Sequence, residues 1–311
     1  MKQTVIGVVG PTAVGKTSLS IEIAKHFNGE IISGDSMQIY KGMDIGTAKV
    51  SEEEQKEVPH HLIDIKDPEE SFSVAEFQSN VRQHLSLINE KKRLPIIAGG
   101  TGLYIQAALF GYNFAEEKRN EIYQNKIENE IKVHGIEVVY NRLMLIDPVQ
   151  AEKIHPNNTR RVVRALEVYD RTGMTMTEYH KKQQLETPYR PILIGLEMDR
   201  SLLYKRIDKR VDMMLEQGLL DEVKFFYEKG LENAQSMKAI GYKEFIPYFK
   251  EEKSLEESVE LLKRNSRRYA KRQYTWFKNK MDVEWYTITL ETKMEKFEII
   301  LNDLAGKLQK I

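Results

Sequence analysis

Near its N-terminus the chain contains the stretch Gly-Pro-Thr-Ala-Val-Gly-Lys-Thr at positions 10–17. It follows the pattern G-x-x-x-x-G-K-[ST] of a phosphate-binding loop, in which backbone N–H groups converge on phosphate oxygens, the lysine reaches the outer phosphates and the threonine hydroxyl can hold Mg²⁺. An apolar run before it and an apolar repeat every four residues after it predict the required order of strand, turn and helix. The stretch therefore predicts phosphate or diphosphate binding, but not whether the ligand is a nucleotide such as ATP, by Gly10, Pro11, Thr12, Ala13, Val14, Gly15, Lys16 and Thr17.

Short apolar runs alternate with helical patterns along most of the chain, which predicts an α/β fold. We expect a P-loop NTPase-like parallel sheet flanked by helices, with strands near residues 5–9, 29–33, 60–64, 95–98, 191–196 and 283–288. Between Tyr112 and about Tyr189 buried strands are missing and charges are frequent, so this part is predicted to be a mostly helical insertion. The predicted limits are 1–112 and 189–311 for the core and 113–188 for the insertion.

The composition restricts the class of protein. The 311 residues include no cysteine, so disulfides and cysteine zinc sites are excluded. No apolar run approaches the roughly 20 residues that a membrane helix needs, and we expect no signal peptide ahead of the first strand. We therefore expect a cytoplasmic protein without membrane contact, and a monomer. Because the formal net charge is zero, a nucleic-acid partner would need a locally basic surface.

Two further polar turns are predicted at the same edge of the sheet as the loop, because ligands bind beyond the carboxyl ends of parallel strands. Asp35, Ser36, Met37 and Gln38 follow the second strand, which places Asp35 near the phosphate loop. The glycine-rich segment 99–102 follows a later strand and contains Thr101 as its polar side chain. An alternative is a tight turn that needs glycine for its backbone angles, with Thr101 capping the next helix.

Basic residues are concentrated in three helical segments. Arg206 and Arg210 are spaced i,i+4 in a helix that Ser201 is predicted to cap, and two guanidinium groups on one face suit a diphosphate. The alternative for this pair is ion pairing with Asp208, Asp212 or other acids on the surface. In the insertion Arg160, Arg161 and Arg164 are within helical reach of one another, and they suit a phosphate backbone as well as an ordinary solvated face.

The third basic segment covers residues 263–280 and has eight lysines and arginines, with no acid between Glu260 and Asp282. Four aromatic residues, Tyr269, Tyr274, Trp276 and Phe277, are interleaved with these charges. Phosphate contacts together with rings for unstacked bases are typical of RNA binding, which is the interpretation that we favour. The alternative is a helix whose rings pack inward and whose charges are only solvated.

Several motifs together resemble the bacterial tRNA dimethylallyltransferase family. Besides the loop at 10–17, they are Asp-Ser-Met-Gln at 35–38, Ile-Gly-Thr-Ala-Lys at 45–49, Pro-His-His-Leu-Ile-Asp at 59–64, Gly-Gly-Thr-Gly-Leu-Tyr at 99–104, Arg-Arg-Val-Val-Arg-Ala-Leu-Glu-Val at 160–168, Ile-Gly-Tyr-Lys-Glu at 240–244 and Ala-Lys-Arg-Gln-Tyr-Thr-Trp-Phe at 270–277. The resemblance covers nearly the whole chain, in the family's order.

The resemblance implies transfer of a dimethylallyl group from dimethylallyl diphosphate to N6 of the adenosine 3′ of the anticodon, in tRNAs that read codons starting with U. It implies a phosphate loop used without NTP hydrolysis and an insertion that closes over the anticodon stem-loop. Asp35 would take the amine proton, Thr101 would orient the amine, and Lys16, Mg²⁺ on Thr17 and Arg206 or Arg210 would stabilise the departing diphosphate.

The tRNA contacts expected with this resemblance, among which Gln38 would recognise the adenine edge, are Asp35, Ser36, Met37, Gln38, Thr101, Gln124, Thr159, Arg160, Arg161, Val162, Val163, Arg267, Arg268, Arg272 and Gln273. Three other functions stay open from the residues alone. A small-molecule P-loop kinase would leave the basic helix at 263–280 unexplained. An enzyme that prenylates free adenine nucleotides would not need the long insertion, and a non-enzymatic RNA-binding module would leave Asp35 and Thr101 without a task.

Overall fold

A computed structural model describes residues 2–112, 121–182 and 186–309. The chain divides into two compact units, of which the first comprises Met1–Phe110 and Thr187–Ile311 and the second Gly111–Glu186. The sequence-based limits of the insertion were 113 and 188. The first eight residues of that predicted insertion, 113–120, lie outside the described residues.

Strands and helices are numbered here in chain order. Those of the described residues are β1 (Gln3–Val9), α1 (Lys16–His26), β2 (Gly29–Ser33), α2 (Glu52–Glu57), β3 (His60–His61), α3 (Val74–Glu90), β4 (Leu94–Gly99), α4 (Gly102–Leu109), α5 (Glu121–His134), α6 (Ile136–Ile146), α7 (Pro148–Ala151), α8 (Thr159–Thr172), α9 (Met176–Lys182), β5 (Tyr189–Glu197), α10 (Arg200–Glu216), α11 (Leu219–Glu228), α12 (Ile246–Phe249), α13 (Leu255–Lys280), β6 (Glu284–Thr287) and α14 (Lys293–Gln309).

The first unit is built on a parallel six-stranded sheet with the order β3-β2-β4-β1-β5-β6. The central strand β1 is aligned so that Val8 lies opposite Ala98 of β4 and Ile194 of β5. Parallel sheets are normally covered on both faces, which explains why the central strands are almost continuously apolar. The predicted α/β class with helices around a parallel sheet is confirmed.

Alternate residues of β1 enter two different apolar cores, as the two-residue repeat of a strand requires. Val5 and Val9 pack with α3, whose buried face is Phe77, Val81, Leu85 and Ile88. Ile6 and Val8 pack on the other side with α1 and α14. The sheet is thereby fixed from both faces, and its carboxyl edge becomes a rigid support for the turns that follow each strand.

The start of α10 differs from the prediction that Ser201 caps it. The residue before the first helical position is Asp199, whose carboxylate accepts hydrogen bonds from the backbone N–H groups of Ser201 (2.8 Å) and Leu202 (3.1 Å). Ser201 already lies inside the helix. In the segment Asp-Arg-Ser the carboxylate stands two residues earlier and satisfies the free N–H groups of the first turn, so the cap falls on the aspartate.

The second unit is helical throughout its described residues and contains α5 to α9. Its own core joins Ile127 of α5, Val139 and Leu143 of α6, and Val162 and Leu166 of α8. Helix α8 has a strongly one-sided pattern, with its valines and leucine inward and with Arg160 and Arg161 exposed. None of the helices in the described ranges combines the length and the apolar character that crossing a bilayer would demand.

Candidate active site

The loop between β1 and α1 has the backbone shape of a phosphate cradle. Gly10 and Gly15 have φ angles of 140° and 111°, which L side chains rarely adopt. A Cβ at position 10 would also lie 2.6 Å from the carbonyl oxygen of Leu196 in β5. Both glycines are therefore needed for the loop to turn closely over the sheet edge and direct its N–H groups and the start of α1 toward one point.

Lys16 opens α1 and folds back over the loop. Its Nζ donates a hydrogen bond to the carbonyl oxygen of Pro11 at 2.7 Å. Burial, together with the nearby cation Arg210, lowers the pKa of Lys16 to about 7, although Asp35 acts in the opposite direction. The ammonium group is thus poorly compensated by the protein itself, which is the condition under which an anionic ligand gains most from it.

Arg206 and Arg210 of α10 line the polar cavity beside the phosphate loop, and among the described residues neither forms an ion pair with an acid of its own helix. Nε of Arg206 donates to the carbonyl oxygen of Ala13 at 2.9 Å. The alternative, pairing with the acids of α10, is wrong. Asp208 and Asp212 pair with α13 instead, through Arg267 (2.5 Å) and Lys263 (2.7 Å).

Asp35 follows β2 and shares a cavity with Lys16 and Arg210. One of its carboxylate oxygens accepts the backbone N–H of Met37 at 2.8 Å, which closes the turn. Burial raises the pKa of Asp35, and this is opposed by the Met37 and Gln38 N–H groups and by the charges of Lys16 and Arg210. The predicted approach of Asp35 to the phosphate loop is confirmed.

Thr101 is joined to the turn that contains Asp35. Its Oγ1 accepts the backbone N–H of Ser36 at 3.2 Å, and it makes no side-chain cap at the start of α4. Glycines 99, 100 and 102 have no positive φ; a Cβ at position 99 would lie 2.3 Å from the backbone of Gly34. The alternative is therefore wrong in both parts. The glycines are required by close packing and not by their backbone angles, and the side chain of Thr101 does not cap the helix.

Two adjoining cavities meet at this edge of the sheet. The first has a volume of about 250 Å³ and is lined by the phosphate loop, Ser33 and Arg206. The second has a volume of about 300 Å³, and its apolar wall is made by Ile207, Val211, Met214 and Leu262. The residues that line both are Thr12, Ala13, Asp35, Thr47, Ala48, Arg210 and Tyr269. A carboxylate, a guanidinium and a phenol ring therefore lie where a polar compartment passes into an apolar one.

Sequence reasoning missed the apolar wall and the place of Tyr269. Ile207, Val211 and Met214 lie on one face of α10 with helical spacing, and the first two directly follow the basic residues that were predicted to bind diphosphate. That spacing was a usable signal for an apolar surface. It could not indicate a cavity wall rather than ordinary core, because the distinction depends on what stands opposite.

Two glutamines that were predicted to contact tRNA bond to the protein backbone. Gln38 donates to the carbonyl oxygens of Ala48 (3.2 Å) and Thr47 (3.4 Å), and its Oε1 accepts the hydroxyl of Ser33. Gln273 is buried; it donates to Gly100 (3.0 Å) and accepts the N–H of Thr12 (2.8 Å). Gln273 thereby links the phosphate loop to the second glycine turn. The structure gives both side chains a bracing role.

The basic charges of α13 are only partly free. Acids from other elements pair with Arg267, Lys263 and Lys278, the last through Glu197 of β5 at 3.2 Å. Arg268 and Arg272 are exposed and form no ion pair among the described residues. The absence of acids within the segment 263–280 therefore did not show that its charges are unpaired, because the acids that pair with them belong to α10 and β5.

The rings of α13 mostly pack against other elements, and their prediction as platforms for bases is wrong for Phe277. Phe277 is fully buried, and Trp276 lies against Gly102, where a Cβ would be 2.2 Å from the indole. Tyr274 donates to Glu197 at 2.5 Å and meets Trp285 edge to face. Tyr269 is the exception, since it lines both cavities.

In the second unit the predicted tRNA contacts divide into exposed and buried groups. Arg160 and Arg161 are exposed at the start of α8, next to the half-buried Thr159. The side chains of Val162 and Val163 are 0% and 4% exposed and belong to the core of the unit, so they are not available to RNA in this arrangement. Gln124 donates to Glu167 at 3.4 Å.

The residues near Lys16 fit a magnesium ion that takes most of its ligands from phosphate and water. The exposed Thr17, which carries a hydroxyl, lines the polar cavity. Mg²⁺ commonly keeps several waters and binds substrate phosphates through few protein groups. A site made of protein side chains alone is not available, because no three His, Asp or Glu side chains cluster suitably within the described residues.

The fold and this site define an α/β protein of the P-loop type, with a phosphate cradle that opens into an apolar cavity. The model of the IPP transferase family matches residues 38–280. The chain belongs to this family.

Full-length relatives agree with that assignment. The tRNA dimethylallyltransferase of Oceanobacillus iheyensis is 56% identical over 310 residues, covering 100% of this chain and 99% of its own length. That of Bacillus cereus strain AH187 is 55% identical over 309 residues, with 99% of this chain and 96% of its own covered.

Solved structures are similar as well. The tRNA isopentenylpyrophosphate transferase of Bacillus halodurans superposes with a TM-score of 0.75 at 48% identity, covering 99% of this chain and 98% of its own. A eukaryotic dimethylallyltransferase acting on tRNA reaches a TM-score of 0.85 at 32% identity, with 98% of this chain and 80% of the other covered.

Proposed function

We propose that this protein is a tRNA dimethylallyltransferase. It moves the dimethylallyl group of dimethylallyl diphosphate to N6 of the adenosine 3′ of the anticodon, in tRNAs that read codons starting with U, and releases diphosphate. The names of the relatives support tRNA prenylation. The observation that carries the proposal is the junction of the two cavities, where Asp35 and Arg210 stand between a phosphate cradle and an apolar wall.

The shape of the site suits a donor with one charged and one apolar end. The diphosphate would occupy the cradle with Lys16 and Arg206, and the five-carbon chain would lie against Ile207 and Val211. The carbon that joins the two halves then falls at the junction. An apolar wall excludes water there, which protects an electron-deficient allylic carbon from hydrolysis.

Asp35 is the proposed general base. An exocyclic adenine amine is a weak nucleophile because its lone pair is delocalised into the ring, so removal of its proton as the C–N bond forms assists attack. Burial raises the pKa of Asp35 and increases its basicity, while the surrounding N–H groups and cations keep the carboxylate form accessible. Thr101, held by Ser36, would orient the amine.

The departing diphosphate would be stabilised by Lys16, the loop N–H groups and the guanidinium of Arg210. A magnesium ion held by Thr17 would neutralise further charge on the phosphate oxygens. The C–O bond to the diphosphate breaks as the C–N bond forms, and the amine proton passes to Asp35. The balance is closed without any hydrolysis of a nucleoside triphosphate.

The RNA would be held by exposed arginines: Arg268 and Arg272 of α13, and Arg160 and Arg161 of α8.

We further propose that the enzyme acts in the cytoplasm as a monomer. Size-exclusion chromatography with light scattering would test the oligomeric state. Transfer to free adenine nucleotides and phosphoryl transfer from ATP have less support, because the relatives are named for tRNA.

One assay tests this function against both alternatives. The protein is incubated with Mg²⁺, radiolabelled dimethylallyl diphosphate and either unmodified tRNA or AMP, with ATP turnover measured in parallel. Label in tRNA at the adenosine 3′ of the anticodon is the expected result. Label in AMP alone would indicate nucleotide prenylation, and phosphate transfer from ATP would indicate a kinase; either would overturn the proposal.

A further inference from the structure

The loop of residues 44–48 lines both cavities, and one carboxylate accepts three of its consecutive backbone N–H groups. Glu222 of α11 accepts the consecutive backbone N–H groups of Asp44 (2.9 Å) and Ile45 (2.8 Å) on Oε2, and that of Gly46 (3.0 Å) on Oε1. Hydrogen bonds to a charged acceptor are stronger than neutral ones. The loop contains no helix or strand, and besides these bonds it has internal turn bonds, from the N–H of Ala48 to Ile45 (2.9 Å) and from the hydroxyl of Thr47 to Met43 (2.6 Å).

Tyr242 contacts both Glu222 and the 44–48 loop. Its hydroxyl donates to Glu222 at 2.5 Å, and its ring lies so close to Gly46 that a Cβ there would be 2.4 Å from a ring carbon. Burial and the neighbouring carboxylate raise the pKa of Tyr242, so the hydroxyl stays a donor. Gly241 touches the backbone of Gly46 as well, with 3.1 Å from its virtual Cβ to the carbonyl oxygen.

The loop is in turn connected to Asp35. The carbonyl groups of Thr47 and Ala48 accept hydrogen bonds from the amide of Gln38, whose Oε1 accepts the Ser33 hydroxyl at 2.8 Å. Gln38 and Met37 supply the backbone N–H groups that stabilise the Asp35 carboxylate. A displacement of the loop therefore releases the side chain that anchors the turn of residues 35–38.

We propose that Glu222 is a positioning residue, which holds the 44–48 loop against the cavities and, through Gln38, fixes the turn that presents Asp35. This inference rests on the proposed function and deepens it. Glu222 lines neither cavity. It acts through the loop, and Tyr242 restricts the carboxylate to one orientation.

The substitution Glu222→Gln tests the bonds directly. A glutamine has the same size, but one acceptor oxygen becomes an NH₂ group that faces N–H donors. The matched control is Glu197→Gln, because Glu197 also accepts a tyrosine hydroxyl at 2.5 Å and lines neither cavity.

Hydrogen exchange of the peptide covering residues 42–50 is measured by mass spectrometry in the ligand-free protein. We expect exchange of the amides at 44–46 to accelerate at least about tenfold in E222Q, with E197Q like wild type. Tyr242→Phe is the second variant, for use if E222Q does not fold. It keeps the ring over Gly46 and removes one donor to Glu222, so we expect a smaller acceleration of exchange in the same direction. Unchanged exchange in both variants would overturn the inference.

The pH profile of kcat separates positioning from a loss of folded protein. Lys16, Arg210 and Tyr269 face Asp35, and these charges stay the same in every variant. If the backbone N–H groups of residues 37 and 38 are held less firmly, they stabilise the Asp35 carboxylate less, and the pKa of Asp35 rises. The acidic limb of the kcat profile should therefore move to higher pH by about half a unit or more in E222Q. Partial unfolding would scale the profile without moving its midpoint.

The double variant Glu222→Gln with Gln38→Ala should shift the limb no further than the larger of the two single-variant shifts, because both changes interrupt one connection. An unmoved limb in E222Q, or fully additive shifts, would contradict the inference. Absence of tRNA prenylation by wild-type enzyme would instead refute the proposed function, and the exchange measurement would still decide whether Glu222 holds the loop.

Discussion

The charge of Lys16 depends on what occupies the site. Its pKa is lowered to about 7 by burial and by Arg210, and its ammonium group donates a hydrogen bond to the neutral carbonyl group of Pro11. A bound diphosphate supplies the missing negative charge and favours the protonated form. Binding of the anion and protonation of Lys16 are therefore linked.

We predict that the affinity for inorganic diphosphate falls as the pH rises above about 7. In the free protein Lys16 loses its proton through that range, so binding must restore the proton, and the affinity should decrease by up to about tenfold per pH unit until the pKa of the complex is reached. Calorimetric titration between pH 7 and pH 9.5 measures this. Lys16→Met removes the group while the ionisation of the ligand itself is unchanged; equal pH dependence in both proteins would contradict the linkage.

Burial lowers the pKa of Lys16 but raises the pKa of Asp35, because in both cases it disfavours the charged form. We predict that Asp35→Asn lowers kcat by about 100-fold or more, the scale of a lost general base, and leaves the dissociation constant for tRNA within about threefold. Single-turnover transfer and filter binding measure the two quantities. Asp67→Asn, an exposed aspartate outside both cavities, is the control and should behave like wild type. Wild-type turnover in D35N would remove Asp35 from this role.

At the scale of elements, what could be predicted from the sequence depended on local pattern. The strand before the loop, the turn after β2 and the place of Thr101 follow from apolar runs and the rule that parallel strands end at one edge. The cap of α10 and the partners of α13 did not follow. Asp208 and Arg267 are 59 residues apart, and their 2.5 Å contact exists only because α10 and α13 pack together. Charge patterns alone do not contain such pairings.

This pairing divides the basic surface of α13 into residues with different expected effects. We predict that replacing Arg268 and Arg272 together by alanine weakens tRNA binding and lowers the slope of log K against log salt by about two, roughly one per lost phosphate contact. Arg267→Ala, on the same helix but paired with Asp208, should leave the slope within about 0.3 of wild type. Binding at four or more salt concentrations provides the comparison. An unchanged slope in the double variant would make α13 an ordinary solvated face.

At the scale of the whole molecule, the chain distributes its tasks over two units with separate cores. All residues that line the two cavities belong to the first unit. The second unit contributes exposed arginines at the start of α8 on a core of its own. Binding of the small donor is therefore expected to depend on the first unit alone, whereas binding of a large RNA is expected to depend on both.

We predict that Arg160→Ala with Arg161→Ala raises the dissociation constant for tRNA by about tenfold or more and leaves the affinity for diphosphate unchanged, because only a large anion extends beyond the first unit. Arg142→Ala is the matched control, since Arg142 belongs to the same unit but pairs with Glu130. Calorimetry measures diphosphate, and filter binding at two salt concentrations measures tRNA. Loss of diphosphate affinity in the double variant would mean that the two units do not act separately, and unchanged tRNA affinity would return these arginines to the status of a solvated surface.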